Sequence, residues 1–201
     1  MSNLDVEVFS DRIFYYKTIL KNNLEILSLI EDTDKSLTDS DAILPWSDWT
    51  ASDDKSYVFG SQKQTNSAKL LTSSPSVQLI YKSLTEVLEI AGRHYCEANQ
   101  LEYFHPSPLS ISKYIKGASM GPHVDVYPGQ TTEPVMSGVL YLNDDCIGGE
   151  LNFPEQGVTI KPSAGSVVIF PSVEPFYHQS LEILSGVKYM SPVFWVKGAS
   201  H

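Results

Sequence analysis

The 201-residue chain is 42% hydrophobic and 19% charged, which suits one folded domain and excludes a disordered chain. Its formal net charge of -10 repels phosphate backbones and anionic bilayers, so neither nucleic acid nor membrane is an expected partner. Cys96 and Cys146 are too few for a disulfide framework and suit a reducing cytoplasm, although a single bridge between them is the alternative. No apolar run approaches the ~20 residues that cross a bilayer, and the acidic start Met-Ser-Asn-Leu-Asp-Val-Glu is unlike a signal peptide.

In chain order, Leu4, Val6 and Val8 alternate with acidic residues and predict a short strand. Ile13, Tyr16, Leu20, Leu24 and Leu27 recur at three or four residues and predict a helix over 11–31, with Ser10 as its cap. Residues 31–41 and 61–76 are polar and read as loops. Trp46 and Trp49 between them are expected to anchor a loop on the core, with a substrate groove as the alternative. A second helix starts at Pro75, capped by Ser74, and carries one apolar face from Val77 through Ile80, Leu84 and Leu88 to Tyr95.

After residue 106 short strand-like runs follow one another: about 109–116, 122–127, 135–142, 149–153, 157–160, 166–170, 174–180 and 187–196. The expected fold is α+β but mainly β, a jelly roll (double-stranded β-helix) of about eight strands with N-terminal supporting helices. The expected organisation is a single domain over 1–201, with 1–105 mainly helical support and 106–201 the jelly-roll core.

The chemistry concentrates in Gly121-Pro-His-Val-Asp-Val-Tyr. Positions two apart on a strand share a face, so His123 and Asp125 would project side by side. A third ligand would complete a 2-His-1-carboxylate face, which binds Fe(II) and leaves positions open. Among the five histidines, His94 lies off the apolar face of its helix, His105 adjoins Pro106 in a turn, and His201 is terminal. His178, 53 residues after Asp125 and inside a strand run, is the third candidate. Lys188 opens the last strand between apolar neighbours, so it should be semi-buried beside an anion; an edge-strand lysine is the alternative. Arg12 and Arg93, the arginines of the chain, both precede the strand-rich part.

The pattern Tyr114, His123-Val-Asp125, His178, Lys188 resembles the prolyl 4-hydroxylase-like branch of the 2-oxoglutarate and Fe(II)-dependent oxygenases. Val139-Leu-Tyr-Leu-Asn-Asp, Gly148-Gly-Glu-Leu-Asn-Phe-Pro and Pro162-Ser-Ala-Gly-Ser-Val-Val-Ile-Phe-Pro follow the family's strand order, so the resemblance covers roughly 109–197. It implies that His123, Asp125 and His178 ligate Fe(II). Lys188 and Tyr114 would hold the distal carboxylate of 2-oxoglutarate, with ascorbate as a reductant. The implied reaction hydroxylates a C–H bond, in peptidyl proline by resemblance, and releases succinate and carbon dioxide. A proline-containing peptide or protein is then the expected partner, and the loops 61–76 and 127–135 are candidates to close over it, the second favoured because it adjoins the His-Asp pair, with plain connectors as the alternative.

Tyr127 and Trp195 are candidates for substrate contact. Related enzymes often place Trp six residues after the basic residue; here that position is Phe194, and a one-residue bulge near Pro192 would turn Trp195 to the inner face. A free amino acid or other small molecule is the alternative substrate. Nucleobase demethylation would need basic grooves this chain lacks. A non-catalytic jelly-roll binding module explains the strands but not the joint spacing.

Overall fold

The computed structural model describes residues 4–10, 12–35, 46–48, 58–60, 62–65, 75–126 and 134–197. Strand β1 (Val6–Phe9) turns into β2 (Ile13–Tyr16), and helix α1 spans Asn23–Lys35. The helix expected over 11–31 is thus a strand for its first part. Ile-Phe-Tyr-Tyr is a run of strong strand formers with both faces buried, and the sheet's demand for such a strand overrides the helical spacing. Ser10 adopts φ 47 in the hairpin turn rather than capping a helix. In α1 the buried stripe is Ile26 and Ile30, while Leu24 is exposed.

Strands β3 (Trp46–Asp48), β4 (Val58–Phe59) and β5 (Gln62–Thr65) follow, so part of the polar stretch 61–76 is a strand and not a loop. Trp46 tilts against Tyr189 with ring centroids 6.3 Å apart, the anchoring role; Trp49, Ser74 and 36–41 lie outside the described residues. Helix α2 covers Pro75–Asn99. His94 on α2 is not a bare surface residue, since its Nδ1 meets the Tyr16 hydroxyl at 3.1 Å.

The remaining strands are β6 (Ser112–Ile115), β7 (Ser119–His123), β8 (Pro134–Tyr141), β9 (Ile147–Gly148), β10 (Leu151–Phe153), β11 (Val158–Ile160), β12 (Val167–Pro171), β13 (His178–Ser180), β14 (Ile183–Ser185) and β15 (Val187–Val196). They form an eight-stranded sheet ordered β1-β2-β12-β8-β15-β6-β5-β3, a five-stranded sheet β11-β10-β13-β7-β4, and a small β14-β9 pair. All pairings are antiparallel, as a jelly roll requires. Four strands of the large sheet come from residues before 66, so the N-terminal part supplies sheet as well as helices.

Alternation along the large sheet sorts its side chains into two cores. Phe14, Tyr16, Val167, Ile169, Leu140, Tyr189, Val193 and Trp195 pack under the helices. Ile13, Tyr15, Val168, Phe170, Tyr141, Tyr114 and Met190 face the small sheet, where Leu151, Phe153 and Ile160 meet them. The site lies on this second, inter-sheet side.

Trp195 is therefore not an inner-face residue. The register shift of β15 falls between Trp195 and Val196, too late to turn the indole inward. A Cβ on Gly92 of α2 would meet Trp195 Nε1 at 2.6 Å, so the helix has a glycine where the indole nests. By alternation Phe194 shares the face of Lys188. Pro192 pairs with Val139 in register, beyond the Val187–Met190 stretch that β6 covers, so β15 carries it without a bulge there.

Candidate metal centre and co-substrate pocket

His123 is the last residue of β7 and His178 the first of β13, and the two are direct cross-strand partners. Their rings lie 4.3 Å apart, centroid to centroid. Asp125 is not in the strand: β7 ends at His123 and Asp125 sits in the bend that follows. Likewise 174–177 precede the strand that His178 opens. The three side chains converge nonetheless. Asp125 Oδ1 is 3.7 Å from His123 Nε2, and Asp125 Oδ2 is 3.5 Å from His178 Nε2. One ligand atom from each residue lies within 4.8 Å of the others.

Main-chain carbonyls fix both imidazoles. His123 Nδ1 donates to the Gly121 carbonyl at 2.8 Å and His178 Nδ1 to the Phe176 carbonyl at 3.3 Å. Each ring then offers its Nε2 lone pair to the centre, the arrangement that metal-bound histidines use. His178 is 6% exposed, with Phe170 and Phe153 rings 4.5 and 6.0 Å away. Burial pulls its pKa down to about 4, with His123 adding to the effect and Asp125 opposing it, so the imidazole is neutral at physiological pH. A neutral imidazole is the form that binds metal. Ligand atoms about 2.1 Å from one ion and at right angles are about 3 Å apart, so a small contraction of this cluster closes it on a cation. Two nitrogens and a carboxylate on one face fit Fe(II) with coordination positions left over.

Lys188 lies in the same inter-sheet space, 2% exposed. Its ammonium donates to the Gly149 carbonyl at 2.9 Å and to Ser180 Oγ, and sits 5.0 Å from the centre of the Tyr114 ring. Tyr114 and Lys188 are cross-strand partners on β6 and β15. Burial pulls the lysine pKa down to about 8, against the opposing fields of Cys146 and Glu150. Ser180 is two residues beyond His178 on the same face of β13, about 6.6 Å along the strand. The ammonium is thus tethered to the strand face that carries His178. Tyr127 lies outside the described residues, as does most of the loop 127–135.

Sequence reasoning missed the two acceptors that hold Lys188. Ser180 was findable, because a residue two beyond His178 must share its face. Gly149 reads only as the start of a strand run, but its φ of +75 and the Lys188 Nζ 3.3 Å from where a Cβ would stand place it against the ammonium.

Comparison with known proteins agrees with this geometry. Residues 109–197 match the 2OG-Fe(II) oxygenase superfamily. An Arabidopsis thaliana protein described as a probable prolyl 4-hydroxylase is 26% identical over 153 residues, 63% of this chain and 53% of its own length. The chain thus spans about half the length of the curated relative it matches. Among solved structures, a prolyl hydroxylase from Trichoplax adhaerens, in complex with a hypoxia-inducible-factor degradation-domain peptide, superposes with a TM-score of 0.71 at 14% identity, covering 92% of this chain and 84% of that one. A viral collagen prolyl hydroxylase from Paramecium bursaria Chlorella virus-1, in its 2OG complex, gives 0.62 at 16% identity, covering 91% and 94%. At these identities the likeness of structures speaks for the shared fold.

Proposed function

We propose that this chain, whose residues 109–197 match the 2OG-Fe(II) oxygenase superfamily, is a dioxygenase that hydroxylates peptidyl proline with 2-oxoglutarate as co-substrate. The observation that carries the reading is the convergence of His123, Asp125 and His178, with Ser180, two residues beyond His178 on its strand, holding the buried ammonium of Lys188.

His123, Asp125 and His178 would hold Fe(II), which when bound would supply oxygen activation coupled to conversion of 2-oxoglutarate into succinate and carbon dioxide. The protein's own part is placement. Gly149 and Ser180 take two of the three ammonium donors of Lys188 and leave one for the distal carboxylate of the co-substrate. With a pKa of about 8, the lysine is mainly charged at neutral pH, and a carboxylate beside it favours that form further. The Tyr114 hydroxyl is assigned to the same carboxylate. Phe153 and Phe170 exclude water from behind His178.

Proline in a peptide is favoured because the curated relative is described as a prolyl 4-hydroxylase and a structural neighbour holds a peptide. The acidic surface supports a peptide over a nucleic acid. The free, buried thiols of Cys96 and Cys146 support a reducing compartment, the cytoplasm.

Mass spectrometry of proline-rich peptides incubated with the protein, Fe(II), 2-oxoglutarate and ascorbate tests the reading. The expected result is a gain of one oxygen on proline matched by succinate, absent with Asp125→Ala. Succinate with a free amino acid and not with any peptide would overturn the substrate assignment.

A further inference from the structure

Asp125 lies beyond the end of β7, so the ladder that orients His123 does not orient the carboxylate. What holds it is one carbonyl. The main-chain N–H of Asp125 and that of Val126 both donate to the Ser172 carbonyl, at 3.1 and 3.2 Å. Ser172 is itself one residue past β12, after Pro171, which has no N–H to contribute. Its side chain supplies the missing anchor. Ser172 Oγ and Ser137 Oγ are hydrogen-bonded at 2.8 Å, and each serine is 1% exposed. Ser137 is held on both sides, since its ladder partners are Phe170 on β12 and Phe194 on β15.

We infer that the Ser137–Ser172 hydroxyl pair is a latch for the metal-binding carboxylate: it pins the Ser172 carbonyl, which sets the backbone of Asp125 and so the position of its side chain relative to His123 and His178. The inference rests on the metal reading of the His-Asp-His cluster. The two serines are positioning residues, because the hydrogen-bond partner of each hydroxyl is the other serine and not a ligand atom. Among the described residues neither hydroxyl has a second partner, so removing one member leaves the other unpaired and frees the turn.

The test is anaerobic titration of the full chain with Co(II), without 2-oxoglutarate, for wild type, Ser137→Ala, Ser172→Ala, the double variant, Ser137→Thr and Asp125→Ala, with thermal unfolding of each metal-free protein alongside. Outer-shell partners of metal ligands shift metal affinity by about 10–100-fold. Each alanine variant is expected to bind Co(II) about tenfold more weakly, and the double variant no more weakly than either single one, because the pair acts as a unit. Ser137→Thr keeps a hydroxyl on the strand and is expected to restore most of the affinity. Lowered thermal stability with unchanged Co(II) affinity would assign the pair to packing alone and overturn the latch. A wild type that binds Co(II) no better than Asp125→Ala would overturn the latch together with the metal reading beneath it.

Discussion

Replacing Lys188 with Met separates what the lysine costs the fold from what it gives the site. Burial pulls its pKa from 10.5 to about 8. At about 1.4 kcal/mol per pKa unit, keeping the charged form inside costs about 3 kcal/mol. Because the side chain is 2% exposed, little of this is screened by solvent. Met has similar length and no charge, but it abandons Ser180 Oγ and the Gly149 carbonyl, which lose hydrogen bonds worth about 1 kcal/mol each.

The metal-free variant is therefore expected to be about 1 kcal/mol more stable at pH 7, or about 2–4 °C in Tm for a chain of this size. The pH dependence carries the sign. Below pH 8 the lysine is protonated folded and unfolded, and the whole cost is present. Between about pH 8 and 10.5 the unfolded chain holds the proton and the folded one does not, so wild-type stability gains with rising pH, and Lys188→Met lacks that gain. Urea unfolding of both proteins at pH 7 and pH 10, compared as a difference, measures it. With Fe(II) present and oxygen excluded, 2-oxoglutarate should stabilise wild type and not the variant. A Met variant several kcal/mol less stable at pH 7, yet still stabilised by 2-oxoglutarate, would rule out both the buried-charge cost and the co-substrate role of Lys188.

Other changes report on other parts of the account. Trp195→Phe removes volume between Gly92 and Gly138, under the helices. It should lower stability by about 1–3 kcal/mol in urea unfolding while leaving the 2-oxoglutarate KM unchanged. Gly149→Ala places a Cβ 2.3 Å from Ile183 Cδ1 and 3.3 Å from Lys188 Nζ at a φ of +75, so the 2-oxoglutarate KM should rise while Co(II) affinity holds. His94→Ala loses the Tyr16 hydrogen bond, about 1 kcal/mol of stability, with turnover near wild type; an inactive variant would mean that the wrong histidines had been chosen.

Much of the site was legible because its chemistry is carried by rare residues. Five histidines reduce to two useful ones by local context, and Lys188 stands out among apolar neighbours. The local geometry was less legible. His-x-Asp suggests one strand face, yet the strand stops between the two ligands, because main-chain N–H groups at 125 and 126 turn to Ser172 rather than to a neighbouring strand. That partner is 47 residues away in sequence, and nothing in a serine announces it. The hairpin at 6–16 was hidden for a different reason. Ile13 and Tyr16 fit a helical period, but Phe14 and Tyr15 fill the intervening positions, and four β-forming residues buried on both faces fit a strand within a sheet. Trp195 turned on one residue of register, since a bulge before it would have faced it inward and the actual shift comes after it.

The proposed function requires that His123, Asp125 and His178 hold Fe(II) and that Lys188 secures 2-oxoglutarate against it. Anaerobic 2-oxoglutarate binding, followed by calorimetry and by visible absorption with and without Fe(II), tests it most directly. Tight binding and a visible band are expected in wild type only when Fe(II) is present. Asp125→Ala should lose both, and Lys188→Met should bind Fe(II) but not 2-oxoglutarate. Binding of 2-oxoglutarate that is indifferent to Fe(II), or equal in wild type and Asp125→Ala, would contradict it.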